Sequence, residues 1–560
     1  MSISGTGGPG LADSPMDSAA APAVSPPKRA SKMLIAIVVI VILVAALGVG
    51  AFILWPRATV ATTVTYATSS EMYTLDPSTE FSNSILLLPN VYETLTLWDP
   101  ATNAAKPLLA TSWTHSSDGL TWTFTLRQGV KFHDGTGFNA TAVKYALMRT
   151  ITLNGGAAYI WGPLGNATAA DSNIQVVDPI TIRFTLLYPA ALDKIASSGY
   201  AAYVFSPRTP GSNYTNQIPW FEAGHDSGTG PYMISTTVKY DKSYVVLDRF
   251  TDYWGGWKAG QFDHAIVKTV QDPAQREAAA LSGNVDITID VPLADLPTLQ
   301  TNTRVKIVES PSYRSMYTFF NSVKWPTNNA SVRQALAYAI PYDDIVNTVV
   351  SGLGSQSIGV IPATMWGHDG TLPHFSFNLT KARQLLTIAG YGSGGFTLNF
   401  TYTAGDLFER NFGLLYKEKL ATLGITLNVL GMPWEQQWAL AKADPNTAQE
   451  IFVMYWWPTY VTPYDFLWNM FSLPSYQFFN LGYYNNSAFD TTIDNAVALE
   501  ATNAAQALAD YRSAQVMLYN DCPGLGVVDM KNLYLMRSDL KGFADNPAYP
   551  LVVFFYQLSR

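Results

Sequence analysis

Alternation of apolar and polar residues marks the strands of this chain. Between Leu120 and Arg127, Trp122, Phe124 and Leu126 alternate with three threonines. Because successive strand side chains point to opposite faces, this run predicts a strand with one buried face. The same alternation predicts further strands in residues 180–187, 243–250 and 264–270.

Apolar residues at helical spacing lie between these strands. Val332, Ala335, Leu336 and Ala339 follow the i, i+3, i+4, i+7 pattern of an amphipathic helix. Gly390 is placed to end another helix as its C-cap. Helical patterns cover residues 139–151, 330–340, 381–390 and 411–424. Strands and helices mix along the whole chain without a short repeat, so the predicted fold class is α/β.

The N-terminal part has a different pattern. Residues 1–32 are rich in Gly, Ser, Ala and Pro, which predicts disorder, and residues 33–55 run without a charge. Such a run is long enough for a single transmembrane helix. Lys28, Arg29 and Lys32 precede it, so the positive-inside rule predicts a membrane protein with the bulk of its chain extracellular. A cleaved signal peptide is the alternative, and the run also resembles pilin-like signals of archaeal surface proteins.

Composition narrows the classes of ligand. Charged residues make up 14% of the 560 residues, aromatic residues make up 13%, and the net charge is −8. We find no stripe of Lys and Arg, so nucleic acid is not an expected partner. Aromatic-rich, charge-poor surfaces suit sugars or peptides. The single cysteine, Cys522, excludes an internal disulfide, a thiolate metal site and a lipoprotein anchor after the apolar run. No cofactor is expected.

Residues 116–135 contain an adjacent His133 and Asp134, a pair that suggests catalysis. Asp134 lies in a glycine-flanked turn, where Asp normally bonds its own backbone, and neighbours on an extended chain point apart. We therefore interpret both residues as structural, with side chains that hydrogen-bond the local backbone of the turn rather than take part in catalysis. The six histidines lack metal-ligand spacing, although His368 and His374 share a loop, and no GxSxG or P-loop motif occurs. A surface hydrolase and a surface-layer protein are the less favoured alternatives.

Residues 91–149, which begin VYETLTLWDP, closely resemble the signature region of the dipeptide/oligopeptide class of solute-binding proteins that serve ABC importers (family 5). GTGPYMI, NASVRQALAYAI and KARQLLTIAGY resemble later landmarks of that family, in the same order. The resemblance covers essentially residues 61–560. Together with the N-terminal segment, it identifies an archaeal-type, membrane-anchored member of the family.

This resemblance implies a two-lobed fold with an extra domain. Lobe I is expected in residues 61–95, 222–320 and 526–560, the extra domain in residues 96–221, and lobe III in residues 321–525. The ligand is expected between lobes I and III, away from the extra domain. The implied function is capture of an oligosaccharide or oligopeptide for two permease subunits and, through them, cytoplasmic ATPases. Peptide sensing without transport is the alternative.

Family sites take side chains from the early loop, here STEFSNSILLL, and from the segment YWWPTYVTPYDF. Flat rings there can stack on sugars or peptide planes, and polar side chains can bond the ligand. The resemblance and these chemistries together select eight candidate ligand-binding residues, namely Asn83, Asn321, Trp434, Trp456, Trp457, Thr459, Tyr460 and Asp465.

One position departs from the family pattern. Peptide-binding members usually carry an Asp, three residues after the residue that matches Trp456, which pairs with the peptide ammonium group; here it is Thr459. A buried ammonium group without a countercharge is costly, so the departure favours an oligosaccharide, a ligand that some archaeal members bind. Asp465 is the nearest acid that could replace the missing one, and it could equally cap a helix.

Asn-x-Ser/Thr sequons are frequent in this sequence. Asn139 and Asn329 stand where helix caps are expected, so their side chains have a structural use. We predict glycosylation at the sequons expected in loops, which are Asn166, Asn213 and Asn378.

Overall fold

The structure is a computed structural model that describes residues 62–473 and 479–560. The predicted disordered segment and transmembrane helix, residues 1–32 and 33–55, lie outside the described residues. Within the described ranges, no helix combines the length and apolar character needed to cross a lipid bilayer.

The strands follow the predicted alternation. In chain order they are β1 (Thr63–Thr68), β2 (Thr96–Asp99), β3 (Ala104–Pro107), β4 (Ala110–His115), β5 (Thr121–Leu126), β6 (Ile174–Asp178), β7 (Thr181–Thr185), β8 (Tyr232–Ile234), β9 (Tyr244–Arg249), β10 (His264–Thr269), β11 (Ile287–Ile289), β12 (Val305–Phe320), β13 (Gly354–Gln356), β14 (Thr397–Thr403), β15 (Thr426–Met432), β16 (Ile451–Trp456) and β17 (Gly524–Arg537). All four strands predicted from alternation, now β5, β7, β9 and β10, are confirmed.

The helices also match the predicted periods. In chain order they are α1 (Leu88–Val91), α2 (Ala140–Leu153), α3 (Ala167–Asn173), α4 (Leu192–Ile195), α5 (Ile218–Glu222), α6 (Pro273–Leu281), α7 (Leu296–Leu299), α8 (Ala330–Tyr338), α9 (Tyr342–Asp344), α10 (Leu379–Ile388), α11 (Leu407–Ala421), α12 (Trp434–Ala443), α13 (Pro463–Phe471), α14 (Ser487–Leu499) and α15 (Ala504–Asp521). Short 3-10 helices occupy Ser84–Leu86, Ala158–Leu164, Thr215–Gln217, Leu293–Asp295 and Phe555–Gln557, and a π-helical turn occupies Ile345–Val349.

Helix ends are set by local side chains, as predicted. Asn139 accepts a hydrogen bond from the Ala142 backbone N–H at the start of α2, and Asn329 accepts one from Ser331 at the start of α8. Gly390, with φ of +86°, follows the C-terminus of α10, where a left-handed residue ends a helix without a Cβ penalty. The predicted apolar face of α8 is fully buried.

One large sheet carries most of the strands. Its order is β15-β14-β16-β12-β17-β11-β1-β10-β9-β8, and β13 pairs with β17 beside this path. β1 runs parallel to β10 and β11, and β14 runs parallel to β15 and β16. Two parallel groups are therefore joined through the long antiparallel pair of β12 and β17.

The register of that pair brings the two groups end to end. β12 pairs with β17 from Val305↔Arg537 to Phe319↔Gly524, and the register shifts between Pro311 and Ser315. β11 ends opposite Tyr534, whereas β16 ends opposite Ser315. Both groups therefore point their carboxyl ends at the irregular middle of β12, and we call residues 311–315 the β12 bulge.

A second sheet, in the order β4-β5-β7-β6, lies in residues 110–185, inside the segment predicted as the extra domain. Trp122, Phe124 and Leu126 of β5 are buried, as the alternation predicts. The predicted domain boundaries themselves remain predictions.

The adjacent pair His133 and Asp134 has two separate structural uses. Asp134 accepts a hydrogen bond from the Thr136 backbone N–H at 2.8 Å, so its interpretation as a residue that bonds the local backbone of the turn is confirmed. The same interpretation was wrong for His133, which is buried with Nδ1 against Asp226 and Nε2 2.9 Å from the carbonyl of Gly230. Burial opposes protonation, but the charge and hydrogen bond of Asp226 raise the pKa of His133. This contact joins residues 96–221 to residues 222–320.

Two of the three predicted glycosylation sites do not lie in loops, as had been expected. Asn166 and Asn378 are not loop residues but the N-caps of α3 and α10, accepting from Ala169 and Lys381. Their sequences lack the Glu/Gln signal of a capping box, which is why the caps were not predicted. Asn213 lies outside regular structure. All three side chains are exposed, so glycosylation there stays a prediction.

Candidate functional site

The candidate site lies where the carboxyl ends of the two parallel strand groups meet. In open α/β sheets, ligands bind in the crevice outside the carboxyl ends of the strands. Here the loops that leave these ends are the early loop after β1, the loop from β14 into α11, and the segment between β16 and α13. Three of the eight predicted ligand-binding residues lie in the last of these, and two more, Trp456 and Asp465, flank it in β16 and α13.

Asp465 organises the segment between β16 and α13. Its Oδ2 accepts from the Thr459 backbone N–H at 3.0 Å and from Trp456 Nε1 at 3.3 Å. Its Oδ1 accepts from the Tyr159 hydroxyl at 2.9 Å and from Asn469 Nδ2 at 3.1 Å. We call these five residues the Asp465 cluster.

The Asp465 cluster is polar but holds no cation. A carboxylate offers about four acceptor positions, and four neutral donors occupy them. Asp465 is 1% exposed, and burial raises its pKa from the usual 3.8 to about 7, against the opposing hydrogen bonds. The prediction that Asp465 caps the following helix was wrong, because Thr462 is the N-cap of α13. Asp465 instead fixes the backbone of the segment.

Aromatic side chains surround the Asp465 cluster. Phe81 of the early loop meets Tyr200 edge-on at a ring-centroid distance of 5.3 Å and Tyr159 at 6.2 Å. Tyr159 stacks on Trp468 at 5.9 Å. Trp457 Nε1 donates to the Tyr200 hydroxyl at 3.2 Å, and this hydroxyl donates to the carbonyl of Ser82 at 3.1 Å. The early loop and the segment after β16 thus meet through aromatic rings.

The predicted residues are not equally placed to bind a ligand. Asn83 and Trp434 are half-buried, and Trp434 stacks on Trp438 at 6.2 Å. Trp456 and Tyr460 are buried in the core. The Asn321 amide is engaged by the chain: its nitrogen donates to the carbonyl of Pro445 at 2.7 Å, and its oxygen accepts from Lys324 at 3.0 Å. We therefore leave Asn321 out of the proposed site.

Three residues that reach the site from segment 96–221 were missed, because that segment was expected to stay away from the ligand. Tyr159 and Tyr200 are described above, and Ser198 Oγ donates to the carbonyl of Thr459 at 2.7 Å. No local sequence signal marks them, since each is brought to the site by contacts about 260 or more residues away along the chain.

A second buried acid lies in the early loop. Glu80 is 1% exposed, and burial raises its pKa to about 7 although it accepts from the backbone N–H groups of Ser82 and Ser84 at 2.7 and 2.9 Å. Its Oε2 has no partner among the described residues. The early loop therefore places a second acidic side chain, Glu80, near Tyr200.

Metal binding has no support in residues 62–473 and 479–560, where no group of three or more His, Cys, Asp or Glu side chains is arranged to hold an ion. His368 Nδ1 lies 2.8 Å from the carbonyl of Ile361, and His374 Nδ1 lies 3.2 Å from that of Leu372. The two histidines of this loop thus bond separate carbonyls.

Comparison with known proteins gives relatives over nearly the whole length of the chain. The chain is 29% identical over 508 residues to the "Probable D,D-dipeptide-binding periplasmic protein DdpA" of Escherichia coli K12, covering 88% of this chain and 93% of that protein. It is 28% identical over 505 residues to the glutathione-binding protein GsiB of Salmonella typhi, covering 89% and 95%. It is also 27% identical over 483 residues to heme-binding protein A of Haemophilus influenzae, covering 82% and 85%.

Solved structures share the fold. The periplasmic binding protein DppA of Helicobacter pylori, in complex with the peptide STSA, superimposes with a TM-score of 0.75 at 22% identity, covering 89% of this chain and 98% of that one. The oligopeptide-binding protein AppA of Bacillus subtilis, in complex with a nonapeptide, gives 0.73 at 19% identity, covering 89% and 98%. The predicted α/β periplasmic-binding-protein fold is confirmed.

The family model described as "Bacterial extracellular solute-binding proteins, family 5 Middle" matches residues 104–477, which is more than half of the chain. Members of this family bind solutes for ABC transporters and are not enzymes. The chain therefore belongs to the family 5 extracellular solute-binding proteins.

Proposed function

We propose that this protein captures a short peptide, or a peptide-like solute, at the meeting point of its two strand groups and delivers it to an ABC importer. The observation that carries the proposal is the convergence of the two sets of carboxyl ends at the β12 bulge. Loops from both groups can then enclose one ligand, and separation of the groups can release it.

The aromatic residues suit a peptide. Phe81, Tyr159, Tyr200 and Trp457 lie within contact distance of one another through the pairs described above. Flat rings stack on peptide planes, and their polar groups can bond the peptide backbone. Trp457 is half-buried and is the residue of the segment that we expect to contact the ligand.

The expectation of an oligosaccharide lacks support. The relatives named above are described as binding a D,D-dipeptide, glutathione or heme, and the named structures hold peptides. Position 459 still lacks the usual Asp, but the buried Glu80 of the early loop has an oxygen, Oε2, without a partner among the described residues, and this oxygen can accept from a peptide ammonium group. We therefore favour a peptide.

We further propose that residues 33–55 anchor the protein in the cell membrane, and that the partners are two permease subunits and their ATPases. The uncharged run and the basic residues before it support the anchor. Membership of the family supports the partners.

A thermal-shift screen of the full-length protein, purified in detergent, tests the peptide proposal. We expect short peptides to raise Tm, because a ligand at 100 times its Kd stabilises the folded state by about 2.7 kcal/mol. Oligosaccharides in the same screen should leave Tm unchanged. A shift produced by oligosaccharides alone would refute the proposal.

A matched pair of tryptophan variants locates the site. Trp457→Ala should weaken peptide binding by about 3- to 10-fold, the value of one aromatic contact. Trp325→Ala serves as the control, since Trp325 is 56% exposed and contacts Tyr391 and Phe396 instead. Equal affinities for the two variants would show that the ligand binds elsewhere.

A further inference from the structure

Arg314 at the β12 bulge forms no ion pair within 4.0 Å with any carboxylate of the described residues. Arg314 lies inside the irregular stretch between Pro311 and Ser315, where the regular pairing with β17 is interrupted. Its backbone N–H donates to Ser312 Oγ at 2.9 Å. β-bulges re-aim side chains and are over-represented next to functional sites. The bulge therefore determines where this guanidinium group points.

Neighbouring residues define its direction. The hydroxyl of Tyr313 accepts from Trp98 Nε1 at 3.4 Å on one side of the strand. The Arg314 guanidinium instead lies 5.5 Å from the centre of the Tyr455 ring. Tyr455 is the penultimate residue of β16, so Arg314 lies next to the segment that carries Trp457.

The guanidinium group has hydrogen-bonding capacity left. Its Nε–H is buried without a partner among the described residues, and within the same residues no carboxylate lies within 4.0 Å of it. Buried polar groups are nearly always hydrogen-bonded, and a charged one most of all. We therefore expect the free Nε–H of Arg314 to donate a hydrogen bond to an acceptor on a bound ligand.

The positive charge of Arg314 affects the pKa values of side chains on both sides of the crevice. Burial raises the pKa of Asp406 and Tyr455 on one side, and that of Tyr66 and Tyr534 on the other, and the positive charge of Arg314 opposes each rise. Arg314 therefore lies between the two parallel strand groups, in the space that the proposed function assigns to the ligand.

We propose that Arg314 binds a carboxylate of the captured solute through its Nε–H and one Nη–H. A planar guanidinium matches a carboxylate with two parallel hydrogen bonds, which a lysine cannot reproduce. The inference rests on the proposed function and assigns it a ligand with at least one carboxylate, whether a peptide C-terminus or an acidic side chain.

The test compares free and amidated peptides on the full-length protein by calorimetry. The probes are trialanine, trialanine amide and glutathione, together with succinate as a carboxylate that is not a peptide. We expect the wild-type protein to bind the free acid about 10- to 100-fold more tightly than the amide. Arg314→Gln should remove that difference, and Arg314→Lys should retain only part of it. Arg410→Gln, at an exposed position of α11, is the control.

The outcomes separate the inference from the proposed function. Equal binding of trialanine and its amide by the wild-type protein excludes the C-terminal carboxylate, and glutathione that then binds the wild-type protein and Arg314→Gln equally overturns the inference. Succinate that binds the wild-type protein and not Arg314→Gln, with no peptide bound, supports Arg314 and overturns the peptide proposal. If Arg314→Gln loses glutathione binding but still prefers trialanine over trialanine amide, Arg314 binds a side-chain carboxylate of the ligand rather than its C-terminus.

Discussion

Two buried carboxylates, Asp76 and Asp465, have opposite kinds of partner. Asp76 receives two hydrogen bonds of 2.6 Å from the guanidinium of Arg149, and both side chains are 0% exposed. Asp465 is 1% exposed, and the donors that it receives from the described residues are all neutral. Each carboxylate contacts the segment 96–221, Asp76 through Arg149 of α2 and Asp465 through Tyr159.

The comparison indicates which contact can open. Separating a buried ion pair exposes two opposite charges and is costly, whereas water can replace neutral hydrogen bonds at little net cost. We therefore expect the segment 96–221 to stay with the early loop and to part from the segment 321–525 when ligand enters. The buried contact between His133 and Asp226 likewise holds segment 96–221 to segment 222–320.

One ion pair does cross the contact that we expect to open. Lys194 Nζ lies 2.9 Å from Glu500 and 3.3 Å from the centre of the Trp366 ring. The Lys194 side chain is 13% exposed, so water reaches it more readily than it reaches Arg149. The Glu500 side chain is 1% exposed, but it keeps the hydroxyl donors of Thr462 and Tyr511 within segment 321–525 when Lys194 withdraws, so the pair favours the closed arrangement without locking it.

The largest effect is expected from Arg149→Ala. The variant leaves the Asp76 carboxylate buried without a counterion, which should lower the free energy of unfolding by about 3–5 kcal/mol. Urea titration followed by circular dichroism measures the change. Arg183→Ala, at an exposed position of β7, should change stability by less than about 0.5 kcal/mol. If the two variants lose the same stability, Asp76–Arg149 is not the fixed contact.

Asp465→Asn should alter the pH dependence of stability. The folded carboxyl group holds its proton up to about pH 7, whereas its usual pKa is 3.8, so the native state binds more protons than the unfolded state in between. The free energy of unfolding therefore falls as pH rises through this window, by roughly 2 to 4 kcal/mol from this group. Urea titrations at pH 4.5, 6 and 8 should show a shallower fall for Asp465→Asn. An unchanged slope would contradict the assignment.

The smallest effect is expected from Tyr159→Phe. The hydroxyl of Tyr159 lies 2.7 Å from Thr459 Oγ1 and donates to Asp465, so its removal should cost about 0.5–1.5 kcal/mol. Tyr244→Phe removes a hydroxyl from a residue that is 39% exposed and should cost nothing measurable. A loss for Tyr159→Phe as large as that for Arg149→Ala would erase the difference between the two contacts.

Local patterns predicted the elements well and the site only in part. Alternation gave β5, and Gly390 marked the end of α10, because both depend on residues close in sequence. His133 was misread, because its partner Asp226 is 93 residues away. Arg314 carried no signal, since a register shift depends on how β12 pairs with β17 rather than on the composition of β12. The family resemblance supplied the segment around Trp457, which hydrophobic spacing alone does not single out.

The most direct test of the account is a pair of distances measured by double electron–electron resonance. Spin labels at Arg183 and Arg410 report on segments 96–221 and 321–525, and labels at Arg183 and Asn284 report on segments 96–221 and 222–320; all three positions are exposed and Cys522 is buried. A peptide that raises Tm should shorten or narrow the first distance and leave the second unchanged. A change in the second distance, or an unchanged first distance with peptide bound, would contradict capture between the two strand groups.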